Sequence, residues 1–211
     1  MKKIVLFDFD GVLVDSADLC YGINEKMRPT LSREEWTSLF EGNIHEAEKE
    51  LSKHGKHLGS SVEFFNQYTE KILEIHPVEG IADVLKELQK VYSLILISST
   101  ISSPIQSYLK KYDFAQYFDW VMGGDIHKHK TVKIKMVLDD YKAKPKDCVF
   151  ITDTLGDMRE AAACGVETIG VTWGFHAKDH LEKGNFLAFV DKAEDLPQVI
   201  HSALERSHDE R

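Results

Sequence analysis

Three stretches of the chain, residues 4–7, 94–97 and 148–151, are apolar without a break. Runs of that length with no alternation predict strands buried on both faces, as in a parallel sheet. A fourth strand is predicted over 168–171, a short one over 120–122 and an edge strand over 187–190. Between them the apolar positions switch to helical spacing. Ile81, Val84, Leu85 and Leu88 make one helix face, and Ile105, Tyr108, Leu109 and Tyr112 a second. Ile134, Val137, Leu138 and Tyr141 make a third, and Leu196, Val199, Ile200, Ala203 and Leu204 a closing one. Ser103-Pro104 opens the second of these, with proline in the first turn where its missing N–H costs nothing. A short helix running to Cys164 and stopped by Gly165 follows the third strand, and residues 206–211 are expected to fray. Strands alternating with helices predict an α/β fold built on a doubly wound parallel sheet.

The segment 15–76 breaks this rhythm, because it holds no convincing strand. Residues 17–27 read as a helix that stops at Pro29. Ser32 and Glu35 form a capping box for a second helix through Trp36, Leu39 and Phe40, broken at Gly42. A charged third helix covers 44–54 and ends at Gly55. Ser60 with Glu63 opens a fourth, where Val62, Phe65, Tyr68, Thr69 and Ile72 share a face. The predicted organisation is therefore a core domain, 1–14 and 77–211, carrying a small helical cap domain, 15–76. The cap leaves the first strand at its carboxyl end, so it can close as a lid about 14–16 and 76–80. Its aromatics (Trp36, Phe40, Phe64, Phe65) suit either its own core or a dimer face, leaving monomer and homodimer open.

The net charge of −9 disfavours a nucleic-acid or anionic-membrane partner. No apolar run approaches a membrane span, and Asp8 and Asp10 interrupt the first one too early for a secretory h-region. Cys20, Cys148 and Cys164 are odd in number and share no CxxC spacing, which fits a reducing cytoplasm.

The chemistry gathers at strand ends. The first strand ends in Asp8 and Asp10, which start out on one side of an extended chain, followed by Gly11. The second ends in Ser98, Ser99 and Thr100, and the third in the run from Thr152 to Asp157. Open α/β sheets bind ligands beyond the carboxyl ends of their strands, so parallel neighbours would bring these groups into one crevice. Lys130 enters that region from a basic stretch before a helix. Several carboxylates with no soft ligand suit a hard cation such as Mg²⁺. A hydroxyl and an ammonium beside it suit phosphoryl oxygens.

At this point the chain resembles the haloacid dehalogenase-like hydrolase superfamily. The run from Asp8 to Ser16 resembles its first motif almost letter for letter; Ser98, Lys130 and the pair Asp153/Asp157 resemble its second, third and fourth. The resemblance implies a phosphatase with Mg²⁺ as cofactor and a small phosphorylated metabolite as substrate. Asp8 would be the nucleophile and Asp10 the general acid/base. Ser98, Ser99 and Lys130 would hold phosphoryl oxygens. Asp8, the Asp10 carbonyl and Asp153 would ligate the cation, with Asp157 direct or through water. Two positions depart from the family's habit: Thr131 stands where proline often follows the lysine, and Thr152 where glycine often precedes Asp153. Lys128 and Lys133 compete with Lys130 for the third-motif role.

Other readings stay open. The same residues serve a phosphomutase of the beta-phosphoglucomutase type, or a non-catalytic phospho-accepting receiver or phosphometabolite-binding module. Glu41, Gly42 and Asn43, in a loop between cap helices, are the expected substrate contacts, and Trp173 either floors the pocket or packs the core. The histidine pairs His127/His129 and His176/His180 are expected to be solvated rather than metal ligands.

Overall fold

The computed structural model of the chain describes residues 2–53 and 61–206. Strand β1 (Ile4–Phe7) leads into helices α1 (Ala17–Met27), α2 (Arg33–Ser38), α3 (Ile44–Lys53) and α4 (Ser61–Lys71). The chain then alternates: α5 (Ile81–Leu88), β2 (Ser93–Ile97), α6 (Ser102–Lys111), β3 (Trp120–Met122), α7 (Lys130–Asp140), β4 (Cys148–Thr152), α8 (Leu155–Ala162), β5 (Glu167–Val171), α9 (Lys178–Leu181), β6 (Ala188–Val190) and α10 (Leu196–Arg206). All six strands are parallel, in the order β3-β2-β1-β4-β5-β6.

The unbroken apolar runs are explained by burial on both faces. Val5, Phe7, Leu94, Leu96, Val149 and Ile151 point into one core, with α5, α6 and α10. Ile4, Leu6, Ile95, Ile97, Cys148 and Phe150 point into the other, against α7 and α8. β1 is central, and Phe7 stands in register with Leu96 on one side and Ile151 on the other. The strand order reverses between β1 and β4, so the crevice of this sheet opens where β1 ends.

Helices α1 to α4 cover that crevice. The two chain links that join them to the sheet are paired: Val14 bridges Pro77, and the Val78 N–H donates to the Leu13 carbonyl at 3.0 Å. The capping box of α2 forms, with the Glu35 N–H on Ser32 Oγ at 3.1 Å and the Ser32 N–H on Glu35 Oε2 at 2.9 Å. Its last residues tighten into a 3₁₀ turn, Leu39–Glu41, ahead of Gly42, rather than continuing as α-helix. The ends assigned to the next two helices at His54, Gly55 and Ser60 lie outside the described residues, as do 207–211 of the expected fraying tail. Helix α6 begins one residue earlier than the sequence suggests, because the Asp125 carboxylate accepts both the Ser102 N–H and hydroxyl at 2.7 Å. The aromatics of this segment neither form a separate core nor face outward together. Trp36 and Phe40 interlock with Phe175 from the loop after β5, at 5.3 and 5.0 Å between ring centroids.

Gly156, in the first turn of α8, is where the helical segment lies against the sheet. A Cβ there would overlap the Gly42 carbonyl and stand 2.7 Å from that of Phe40. Gly156→Ala is expected to lower stability by about 1–3 kcal/mol through overpacking. It is also expected to cost up to about 10²-fold in turnover by displacing the loop over the crevice. Thermal melts and steady-state rates check both.

Candidate active site

Asp8 directly follows β1, and its N–H continues the ladder by donating to the Ile151 carbonyl at 3.0 Å. Its carboxylate is almost wholly buried. Oδ1 accepts the Phe9 N–H at 2.8 Å, and Oδ2 is 2.7 Å from Lys130 Nζ. The same ammonium lies 2.6 Å from Asp157 Oδ2, which also accepts the Thr152 hydroxyl at 2.9 Å. Lys130 is 2 % exposed and opens α7, so the helix delivers its ammonium between two carboxylates.

The competing lysines lie elsewhere. Lys133, one turn on, is buried behind the strand ends and donates to the Ser98 carbonyl at 2.5 Å. Burial, and then the charge of Lys130, push it down to about 8. Lys128 lies on the wall of the cavity described below.

Asp10 carries the densest set of hydrogen bonds. Its Oδ1 accepts the hydroxyls of Ser16 and Tyr68, each at 2.6 Å, and its Oδ2 accepts that of Thr100 at 2.7 Å. Ser98 is 1 % exposed, and its Oγ accepts the Thr100 N–H at 3.0 Å. Burial is the largest influence on Asp8, raising it well above the ordinary carboxylate range against the pull of Lys130. Asp157 is equally buried, yet Lys130 and its hydrogen bonds hold it below that range.

Above these groups lies a cavity of about 860 Å³ between the sheet and the helical segment. Asp8, Asp10, Ser98, Ser99, Lys130 and Asp157 line its floor, and Gly42 and Asn43 its wall. Asn43 is anchored to the core through the Lys128 carbonyl and Glu160 Oε2, both at 3.1 Å. One expected contact is corrected, and the open reading of Trp173 is decided. Glu41 does not line the cavity; its carbonyl accepts from Arg159 at 2.5 Å and its carboxylate meets His180 at 3.0 Å. Trp173 packs against the core with its indole N–H toward the Val12 carbonyl at 3.4 Å, and Phe175 lines the cavity instead. His176 is not solvated: it is 1 % exposed, accepting the Leu155 N–H on Nδ1 and reaching the Thr37 carbonyl from Nε2, both at 3.0 Å.

A family model for haloacid dehalogenase-like hydrolases matches residues 5–171. The chain belongs to the haloacid dehalogenase-like hydrolases. Among curated relatives, phosphoglycolate phosphatase 1 of Pseudomonas aeruginosa is 26% identical, with 97% of this chain and 82% of that protein covered. A haloacid dehalogenase-like hydrolase from Streptococcus pneumoniae superposes with a TM-score of 0.75 at 21% identity, over 94% of this chain and 98% of that one. CbbY of Rhodobacter sphaeroides, solved with xylulose-1,5-bisphosphate, gives 0.73 at 21% identity, over 93% and 96%.

The donor set of this haloacid dehalogenase-like hydrolase fits a divalent cation. Asp153 is fully buried; Oδ2 accepts the Phe175 N–H at 2.7 Å, but Oδ1 has no hydrogen-bond partner. A buried, half-satisfied carboxylate beside Asp8 and Asp157 is costly without a counter-charge. Gly11, at φ +72°, and Gly174 make its cradle: a Cβ on either would overlap the Asp153 carboxylate. Among the described residues no three Asp, Glu, His or Cys side chains close a cage of their own. Two carboxylates, a main-chain carbonyl and water suit Mg²⁺, which keeps several of its waters.

Burial pushes Asp153 up to about 7 from an ordinary 3.8. The folded protein therefore binds the extra proton between those values, and this group's contribution to stability falls as pH rises through that window. A cation competes with that proton. The Mg²⁺-induced rise in melting temperature is expected to be larger near pH 8 than near pH 5.5. Calorimetry at both values checks it, and an equal or smaller rise at the higher pH contradicts it.

Two hydroxyls at Asp10 escape the sequence. Thr100 sits in the polar run after β2 and could have been found, two residues beyond Ser98. Tyr68 had no such signal, since its place on the α4 face reads as ordinary packing.

Proposed function

We propose that the protein is a Mg²⁺-dependent phosphatase that hydrolyses a small phosphorylated metabolite through an aspartyl phosphate on Asp8. The observation that supports this reading most is the buried ammonium of Lys130 bridging Asp8 and Asp157 on the floor of a cavity that Asp10 also lines. Family membership and the phosphoglycolate phosphatase relatives support the same chemistry.

A carboxylate oxygen of Asp8 attacks phosphorus, and the ester P–O bond breaks. The leaving oxygen takes a proton from Asp10. Asp10, now a carboxylate, removes a proton from water; the resulting oxygen attacks phosphorus, phosphate leaves, and the Asp8 carboxylate is restored. Ser98, Ser99 and Lys130 hold the phosphoryl oxygens as charge redistributes. Asp8, the Asp10 carbonyl and Asp153, with Asp157 direct or through water, would hold Mg²⁺, which would supply charge neutralisation on the phosphoryl group.

Residues 15–76 act as a cap on a core of 1–14 and 77–211. Their closure excludes water from the cavity, and Gly42 and Asn43 supply cap contacts. The cavity volume admits a leaving group of sugar size beside the phosphate. Unpaired thiols at Cys20, Cys148 and Cys164 support a cytoplasmic setting. Among the described residues no helix is long and apolar enough to cross a membrane.

The test is phosphate release from phosphoglycolate, sugar phosphates and nucleotides, with Mg²⁺ and with chelator. Release that requires Mg²⁺ is expected. Its absence across the panel, or release unaffected by chelator, overturns the reading.

A further inference from the structure

Two buried lysines stand one turn apart on α7, and the mechanism uses only one of them. Lys130 reaches Asp8 and Asp157. Lys133 is fully buried behind the strand ends, where its ammonium donates to the Ser98 carbonyl at 2.5 Å and lies 3.4 Å from the Gly123 carbonyl. Neither acceptor carries a charge. A buried ammonium with a like charge one turn away, and only main-chain carbonyls as partners, is costly. It is not needed to join the two loops it touches. The Ser98 N–H already donates to the Met122 carbonyl at 3.0 Å, and the Gly124 N–H to the Thr100 carbonyl at 2.8 Å. The Asp125 carboxylate ties in Ser102 as well.

The ammonium grips one side of the Ser98–Ser99 peptide. That peptide is trans, and in a planar trans unit the C=O and N–H point in opposite directions. With the Ser98 carbonyl turned back to Lys133, the Ser99 N–H is turned away from it. Among the described residues this N–H has no acceptor, and both Ser98 and Ser99 line the cavity. Hydrogen bonds in a chain polarise one another, so an ammonium on the carbonyl strengthens the N–H as a donor. We propose that Lys133 is a positioning residue that acts through the Ser98–Ser99 peptide, fixing and polarising it so that the Ser99 N–H holds a phosphoryl oxygen. Lys130 meets the anion directly, and Lys133 meets it through one peptide plane.

This role rests on the phosphatase reading, in which Ser98 and Ser99 hold the phosphoryl group. The test is calorimetric titration of the Mg²⁺-loaded protein with inorganic phosphate, for the wild type and Lys133→Met, at pH 7 and pH 9. Burial and then the charge of Lys130 bring Lys133 down to about 8, against the pull of Asp8, Asp157 and Glu160. Asp125, beyond β3, faces it with a further negative charge. The wild type therefore carries the charge at pH 7 and has mostly lost it at pH 9. At pH 7 the wild type is expected to bind phosphate about tenfold more tightly than Lys133→Met, the scale on which a charged hydrogen bond exceeds a neutral one. At pH 9 the ratio is expected to fall to about twofold, following the loss of one proton. The ionisation of phosphate itself enters both proteins alike and cancels from the ratio.

A ratio that is the same at both pH values marks a packing role and overturns the proposal, as does equal affinity at pH 7. Failure of phosphate to bind the wild type at either pH would remove the reading of the site, and the inference with it. If Lys133→Met does not fold, Lys133→Arg keeps the charge at both pH values. Its affinity relative to the wild type is then expected to rise about fivefold from pH 7 to pH 9, and an unchanged ratio overturns the proposal.

Discussion

Asp8→Asn is expected to reduce turnover by at least about 10⁴-fold, the scale on which loss of a catalytic nucleophile is felt. The fold should survive. Asparagine is isosteric, and the carboxylate it replaces is destabilised where it sits, because burial raises Asp8 well above its ordinary range. Removing that charge leaves Lys130 paired with Asp157 alone, still at 2.6 Å. The melting temperature of the metal-free variant should therefore equal or exceed that of the wild type, the exchange expected where a site is held in a strained electrostatic state. A variant that loses activity because it has unfolded would not meet this expectation, so melts and rates are measured on one preparation.

Lys130→Met is expected to have the largest effect on stability. Methionine approximates the aliphatic stem, but two buried carboxylates then face each other with no cation between them. Breaking a buried pair in this way costs about 3–5 kcal/mol. One carboxyl can take up a proton to relieve the repulsion, so the loss should be greater near neutral pH than near pH 5. Turnover should also fall by about 10²–10³-fold, the scale on which a charge aimed at a transition state is felt. The double variant Lys130→Met/Asp157→Asn removes one of the repelling charges. It is expected to recover most of the stability and none of the activity. If the single variant is as stable as the wild type, the ammonium is not what balances Asp8 and Asp157.

The parts of this molecule legible in its sequence are those set by short-range rules. Residues 4–7, 94–97 and 148–151 announce buried strands because both faces must be apolar, and the sheet bears this out strand by strand. Asp8 and Asp10 are visible because they end such a run two residues apart. The Ser32/Glu35 box is visible because capping is a local exchange of hydrogen bonds. What the sequence hides is which distant groups meet. Tyr68 and Asp10 are 58 positions apart, and a tyrosine at helical spacing carries no mark of where its hydroxyl ends. Three nearby lysines cannot be ranked until the start of α7 is known; that start puts Lys130 at the carboxylates and Lys133 behind them. Glu41 fails as a cavity contact because the 3₁₀ turn at 39–41 rotates it toward Arg159 and His180, and nothing in the spacing foretells that turn.

The measurement that bears most directly on the mechanism is acid quenching of the Mg²⁺-loaded enzyme during turnover, followed by borohydride reduction and peptide mapping. A phosphate carried on Asp8 should be reduced to homoserine at position 8, and the signal should vanish in Asp8→Asn. Rapid turnover with no modification at Asp8 at any quench time, together with an active Asp8→Asn variant, would contradict nucleophilic catalysis by this residue.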